Sequence, residues 1–176
     1  MVLLGLAGGD AHAQVRLTQE EALRLAFPAP HVVERRTAFL EERQLEEVRR
    51  LAGPGATAEQ RVLTHYVGRR DGRPVGVAYF DAHRVRTLNE VLMVVVDTND
   101  TVTDVRVLAF AEPLEYLASE GWLAQLEGKR LTDALSLKGD VVNMTGATLT
   151  SEAAVRAVRR VLAYHAVVRP FEPVVP

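Results

Sequence analysis

Apolar and polar residues recur along this chain with two different periods, and the change from one to the other separates helical from strand-like parts. Near the start, Thr18-Gln19-Glu20-Glu21 has the T-x-x-E form of a capping box. Ala22, Leu23, Ala26 and Phe27 then share one face, and Pro28 and Pro30 close a short helix. Val33, Ala38, Leu40, Leu45, Val48 and Leu51 follow, spaced among Glu and Arg residues. That spacing predicts one long amphipathic helix from Val32 to Ala52, ended by Gly53-Pro54-Gly55. Its charged face reads as solvated, with Glu46 and Arg50 spaced to pair.

From Val62 the pattern alternates. Val62 to Gly68 and Pro74 to Phe80 are two strand-like runs joined by Arg70-Asp71-Gly72-Arg73, where Asp-Gly accepts the positive φ angles of a tight hairpin. Val91-Leu92-Met93-Val94-Val95-Val96 is apolar without a break, as in a strand covered on both faces. Thr98 to Thr101 turns the chain and Val102 to Phe110 returns. Gly68 and Gly76 inside the runs mark a bulge or a close approach by another group. After Phe110 come a short helical stretch from Ser119 to Leu126, a loop from Leu131 to Asn143, and a final helix from Thr150 to about Ala166. The fold class is therefore α+β: an antiparallel sheet of at least four strands, a long N-terminal helix and a C-terminal helix. Residues 14–166 read as a single domain and 167–176, with three prolines, as an extended tail.

Composition narrows the function more than the fold. With 176 residues and 48% hydrophobic content the chain holds one well-filled core. A net charge of −2 gives no electrostatic reason to expect nucleic acid as a partner. The absence of cysteine removes disulfides, thiolate catalysis and Fe–S ligation, so a redox role needs a borrowed cofactor. The five histidines show no H-x-x-H spacing, and no catalytic or metal-binding constellation emerges. The G-x-S-x-G, Walker and dinucleotide-binding glycine patterns are missing too. Asp97, Asn99 and Thr101 start like a calcium loop, but Val102 and Leu108 occupy its Gly and Glu positions, leaving a turn. His83-Arg84-Val85-Arg86 reads as a solvated hairpin end, and His165 as a core or helix-end histidine.

At the N-terminus, residues 1–13 combine a short apolar run with Ala11-His12-Ala13, an A-x-A cleavage pattern, and read as the remnant of a secretory signal. This predicts an extracytoplasmic, periplasmic location. No run approaches the roughly 20 apolar residues of a membrane span, so stable membrane insertion of the mature chain is not expected.

The candidate chemistry lies at Thr145-Gly146-Ala147-Thr148-Leu149-Thr150-Ser151, directly before the last helix. Small and hydroxylated residues there serve ordinary N-capping. The same groups, with free N–H donors and the helix dipole, also build a phosphate site, and composition leaves both readings open.

The order of those seven residues resembles the [S/T]-G-A-T-x-T-S motif of the FMN-binding domain family. Phe110-Ala111-Glu112-Pro113-Leu114-Glu115-Tyr116, then Trp122-Leu123 and Gly128-Lys129, are similar to the E-P-x-x-Y and W-L…G-K pattern of its single-domain extracytoplasmic branch. The resemblance spans roughly residues 66–163. It implies FMN joined as a phosphoester to Thr148 by a flavin transferase that uses FAD. Thr145, Gly146 and Ala147 would shape the turn, Thr150 and Ser151 would hold phosphate oxygens, and Glu112 and Pro113 would line the flavin pocket. Phe110, Tyr116 and Trp122 are candidates to pack on the ring. The implied role is that of an electron carrier more than a free-standing enzyme, with a membrane-bound oxidoreductase or cytochrome as partner. Six residues before Thr148, where the family carries Asp, this chain has Val142. That departure motivates an alternative: a flavin-free binding or scaffold subunit of a membrane assembly with the same fold.

Overall fold

The computed structural model describes residues 14–172, and the signal-like residues 1–13 lie outside that span. Within it the elements run β1 (Gln14–Val15), α1 (Gln19–Ala26), β2 (Val32–Phe39), α2 (Glu42–Ala52), β3 (Val62–Arg70), β4 (Arg73–Arg84), β5 (Asn89–Asp97), β6 (Val102–Phe110), α3 (Glu120–Leu123) and α4 (Thr148–Val168). The strands form one antiparallel sheet in the order β1-β6-β5-β4-β3-β2, five of them long and β1 a two-residue edge. The α+β class and the antiparallel sheet follow the sequence reading.

The long N-terminal helix does not form. Val32 to Phe39 is instead an edge strand, paired residue by residue with β3 from Val32↔Arg69 to Phe39↔Val62. Only Glu42–Ala52 is helical, and the side chain of Gln44 caps its start by accepting from the Glu41 N–H at 2.9 Å. The physical reason lies in Val32, Val33 and Thr37, whose branched side chains fit a pleated surface, and in a partner strand some thirty residues away that local periodicity does not register. Arg50 pairs with Glu47 and not with Glu46. At the other end α4 continues to Val168, so the first two residues of the expected extended tail, 167 and 168, are helical.

β5 explains its unbroken apolar run. Leu92, Val94 and Val96 face a core shared with α2 and α4, whereas Met93 and Val95 face a smaller core under α1. Val77 and Tyr79 on β4 divide from Ala78 in the same way, as the period of two requires. The sheet is thus the middle layer, with α2 and α4 packed together on one side and α1 on the other.

Gly68 and Gly76 lie opposite each other on β3 and β4, with a register irregularity just after Gly68. Both readings of these glycines meet here, because a bulge is present and the group that approaches closely is the chain's own Phe27. A Cβ on Gly68 would run into the Phe27 ring, and one on Gly76 would sit 3.4 Å from Phe27 Cε1. Gly68→Ala is therefore expected to cost about 1–3 kcal/mol in urea unfolding. Gly121→Ala, where an added Cβ meets nothing within 4 Å, should be close to neutral.

Candidate functional site

Two contacts and a shared cavity fix the direction of α4 over the sheet. His165 near its end receives a hydrogen bond from Tyr79 Oη at 3.0 Å, and Arg160 grips Asp81 through two bonds of 2.8 and 2.6 Å. Ala153 and Arg156 face Ala82 to Arg84 across a cavity of about 510 Å³. Helix and strand are therefore antiparallel, and the N-terminus of α4 points to the end of the sheet that holds the β4–β5 turn and the end of β6. Thr148 and Glu112, far apart in sequence, are brought to the same end.

The turn before α4 is held from several sides. The Trp122 indole N–H donates to the Val142 carbonyl at 2.8 Å, and the Val142 N–H donates to Gln125 Oε1 at 2.9 Å. The Met144 N–H donates to Ser151 Oγ at 3.2 Å, and that hydroxyl donates to the Ala147 carbonyl at 3.2 Å. Ser151 is fully buried and its hydroxyl ties the turn to the first turn of the helix. Gly146 has φ +82°, which favours glycine, and the space beside it is open. Thr145 and Thr148 are exposed, and Ala147 is buried beneath them.

Thr148 is the first residue of α4, and its Oγ1 accepts from Asn143 Nδ2 at 3.0 Å. Among the described residues the backbone N–H groups of Thr148, Leu149 and Thr150 find no acceptor, and the Ser151 N–H is the first to close on Ala147. No acidic side chain occupies the first turn to satisfy the helix dipole. Thr150 is 1% exposed, and its Oγ1 has no hydrogen-bond partner. The exposed Thr148 hydroxyl and the three free N–H donors form a donor set suited to a phosphate, whereas the Thr150 side chain, two residues on, points to another side of the helix.

Glu112, expected to line a flavin pocket, holds the β4–β5 turn. Its Oε1 accepts from the N–H groups of Arg86 at 3.2 Å, Thr87 at 2.7 Å and Leu88 at 2.8 Å. The Leu88 N–H, then those of Thr87 and Arg86, outweigh the effect of burial and keep its carboxyl below the usual carboxylate range. Pro113 follows at the start of a short 3₁₀ turn, Leu114–Tyr116. The aromatic candidates are committed elsewhere: Phe110 and Trp122 are core, and the half-buried Tyr116 ring carries the Arg86 guanidinium at 5.2 Å.

Residues 89–163 match the family model of the FMN-binding domain.

No curated protein and no solved structure matches the chain significantly. The FMN-binding domain so defined runs from the start of β5 through most of α4, and it contains Glu112, Pro113 and the whole of Thr145 to Ser151. The match supports FMN as the cofactor of this segment and suggests a flavin-binding, electron-transfer role. The donor set at the start of α4 fits the phosphate of FMN, and the flavin supplies the one- and two-electron chemistry that no side chain here provides.

Beside this domain's turn lies a buried charge cluster that the sequence reading missed. His83 Nδ1 contacts Asp81 Oδ1 at 2.9 Å and its Nε2 contacts Glu90 Oε2 at 3.1 Å, with the His83 side chain only 8% exposed. Two carboxylate oxygens on two ring nitrogens suit the doubly protonated imidazolium. Burial opposes that charge, but the bonds to Asp81 and Glu90 outweigh it and raise the His83 pKa. Burial also works against the Asp81 carboxylate, yet His83 and Arg160 hold its pKa below the ordinary value. The solvated basic hairpin end expected at residues 83–86 is thus, at His83, an interior ion pair. The signal was present as Asp and His spaced by two in a strand, with Glu90 directly before an apolar run.

Proposed function

We propose that this protein is an extracytoplasmic electron carrier bearing FMN as a phosphoester on Thr148. What carries the reading is the exposed Thr148 hydroxyl at the first position of α4, next to three N–H groups without acceptors, in the motif order of the FMN-binding domain. The attachment is a group transfer without redox change. In the active site of a flavin transferase, Thr148 Oγ1 attacks the flavin-side phosphorus of FAD. The Oγ1–P bond forms, the pyrophosphate P–O bond breaks, AMP leaves with the bridging oxygen, and the hydroxyl proton passes to a transferase base.

The chain's own residues prepare this step and keep its product. Asn143 donates to Thr148 Oγ1 and so orients the hydroxyl. Gly146 leaves the approach open, and the unpaired N–H groups with the dipole of a 21-residue helix favour the phosphate that results. No helix among the described residues is long and apolar enough to cross a membrane, and the periplasmic placement rests on the signal-like start. A membrane-bound oxidoreductase or cytochrome is the partner this role calls for.

Co-expression with a flavin transferase tests the reading. The wild-type chain should gain the mass of one FMN less one water and give a fluorescent band on a denaturing gel, and Thr148→Ala should give neither. An unmodified wild type, or an equally modified Thr148→Ala, would refute it. A second reading, a flavin-free scaffold subunit, is favoured by one observation: Val142 stands in the family's Asp position with 72% of its surface exposed. A wild type that folds and captures a membrane partner while staying unmodified would establish that reading instead.

A further inference from the structure

Of the cavities on the surface, one shares a helical stripe with Thr148. Thr148, Glu152 and Val155 are spaced i, i+4 and i+7, so their side chains line one side of α4. Glu152 and Val155 border a cavity of about 380 Å³. Val155 lies about 10 Å along the helix axis from Thr148, within the reach of an extended ribityl phosphate arm.

The lining of this cavity is mixed: Pro54, Leu135, Leu137 and Val155 are apolar, and polar or charged side chains, Glu152 and Arg156 among them, make up the rest. Leu135, at 0% exposure, and Val155, at 5%, form its floor, and Leu137 and Pro54 flank it. Its frame is built, because Arg159 donates to the carbonyls of Ala52 at 2.9 Å, Thr132 at 2.6 Å and Leu135 at 3.2 Å, tying the end of α2 and one loop to α4. Of the cations that line it, Arg156 is paired with Glu152 at 3.4 Å and Arg159 is held by the three carbonyls, whereas Lys138 stands exposed at the mouth without an ion-pair partner among the described residues. Two further cavities that α4 borders, of about 710 and 310 Å³, lie at its C-terminal end around Ala166, far from Thr148. The 510 Å³ cavity borders the Arg160 side of α4, and the 830 Å³ cavity contains no α4 residue. The aromatic rings near the turn are core or already covered.

We propose that the 380 Å³ cavity seats the isoalloxazine ring of the flavin carried on Thr148, with Leu135, Leu137 and Val155 as an aliphatic seat and Lys138 as the cation at its mouth. This rests on the flavin attachment argued above and adds where the ring goes and which charge it meets. A reduced ring gains negative charge, which the Lys138 ammonium favours, so the residue raises the reduction potential.

The test uses the loaded full chain and compares Leu137→Asp, Lys138→Gln and a control, Leu25→Asp, at an exposed position bordering the distant 830 Å³ cavity. Leu137→Asp should retain the flavin mass while acrylamide quenching of flavin fluorescence rises about twofold or more and the visible circular dichroism of the flavin falls by a similar factor. Lys138→Gln should keep both signals and lower the midpoint potential, and the control should change nothing. Unchanged quenching and dichroism in a loaded Leu137→Asp would overturn the seat, and an unchanged potential in Lys138→Gln would overturn the role of that lysine.

If the wild type takes no flavin at all, the attachment fails and the cavity is judged by titrating riboflavin into the unmodified chain. Binding that Leu137→Asp weakens about tenfold or more would keep the seat. No binding, or binding indifferent to the substitution, would overturn it as well.

Discussion

Asp81→Ala should lower the unfolding free energy by about 3–5 kcal/mol, the cost of leaving interior cations without their counter-charge. Asp81 is 9% exposed and takes two bonds from Arg160 and one from His83. Its loss leaves Arg160 with no carboxylate and His83 with Glu90 alone. For a chain of this size the change corresponds to a fall of roughly 10 °C or more in Tm, read by calorimetry or by dichroism on heating. Adding Arg160→Met to Asp81→Ala should recover part of the loss, since the stranded charge goes with it. A double variant less stable than Asp81→Ala would show that Arg160 acts by packing alone.

The same cluster sets a pH dependence with a definite sign. His83 has a folded pKa above its ordinary 6.5, so its contribution is complete below 6.5 and is lost as pH rises through the folded value. Burial lowers the pKa values of His65 and His165, so their contributions are present above 6.5 and are lost as pH falls through the folded values. Urea midpoints measured across the neutral range should therefore decline on both sides, and His83→Gln should flatten the alkaline limb only.

Glu112→Ala is the second large effect, at about 2 kcal/mol. One carboxylate oxygen accepts three consecutive N–H groups of the β4–β5 turn, and its removal leaves all three to find water. The turn should then exchange its amide protons faster than the rest of the sheet. Glu112→Gln, whose carbonyl oxygen can still accept, should cost clearly less. Because the folded carboxyl pKa is lowered, the wild-type contribution is present above the ordinary 4.5 and fades as pH falls through the folded value. In acid, Glu112→Ala and the wild type should converge.

What the sequence made legible follows from how local each signal was. The Asp-Gly hairpin between β3 and β4, the unbroken apolar β5 and the T-x-x-E start of α1 are encoded within a few residues, and each formed as expected. β2 was missed because an edge strand with Glu34, Arg35 and Arg36 in its middle shows no clean alternation, and only its pairing with β3 makes it a strand. Thr145 to Ser151 was legible as a turn at a helix start. The division of labour inside it was not: the bonds of Ser151 to Met144 and Ala147, the exposure of Thr148 and the unpartnered Thr150 hydroxyl depend on how the loop from residue 139 folds back. The charge cluster stayed hidden for the same reason, since Asp81, Glu90 and Arg160 are neighbours only once α4 lies antiparallel to β4.

Arg159 joins the end of α2 and the loop before residue 136 to the middle of α4 through three backbone carbonyls. Hydrogen bonds of this kind make opening cooperative, because releasing any one segment strands a guanidinium that the other two still hold. Three stretches separated by some eighty and some twenty-five residues of chain thus share one local unfolding event. Their amides should report a common free energy of opening in native-state exchange, and Arg159→Met should split it into three.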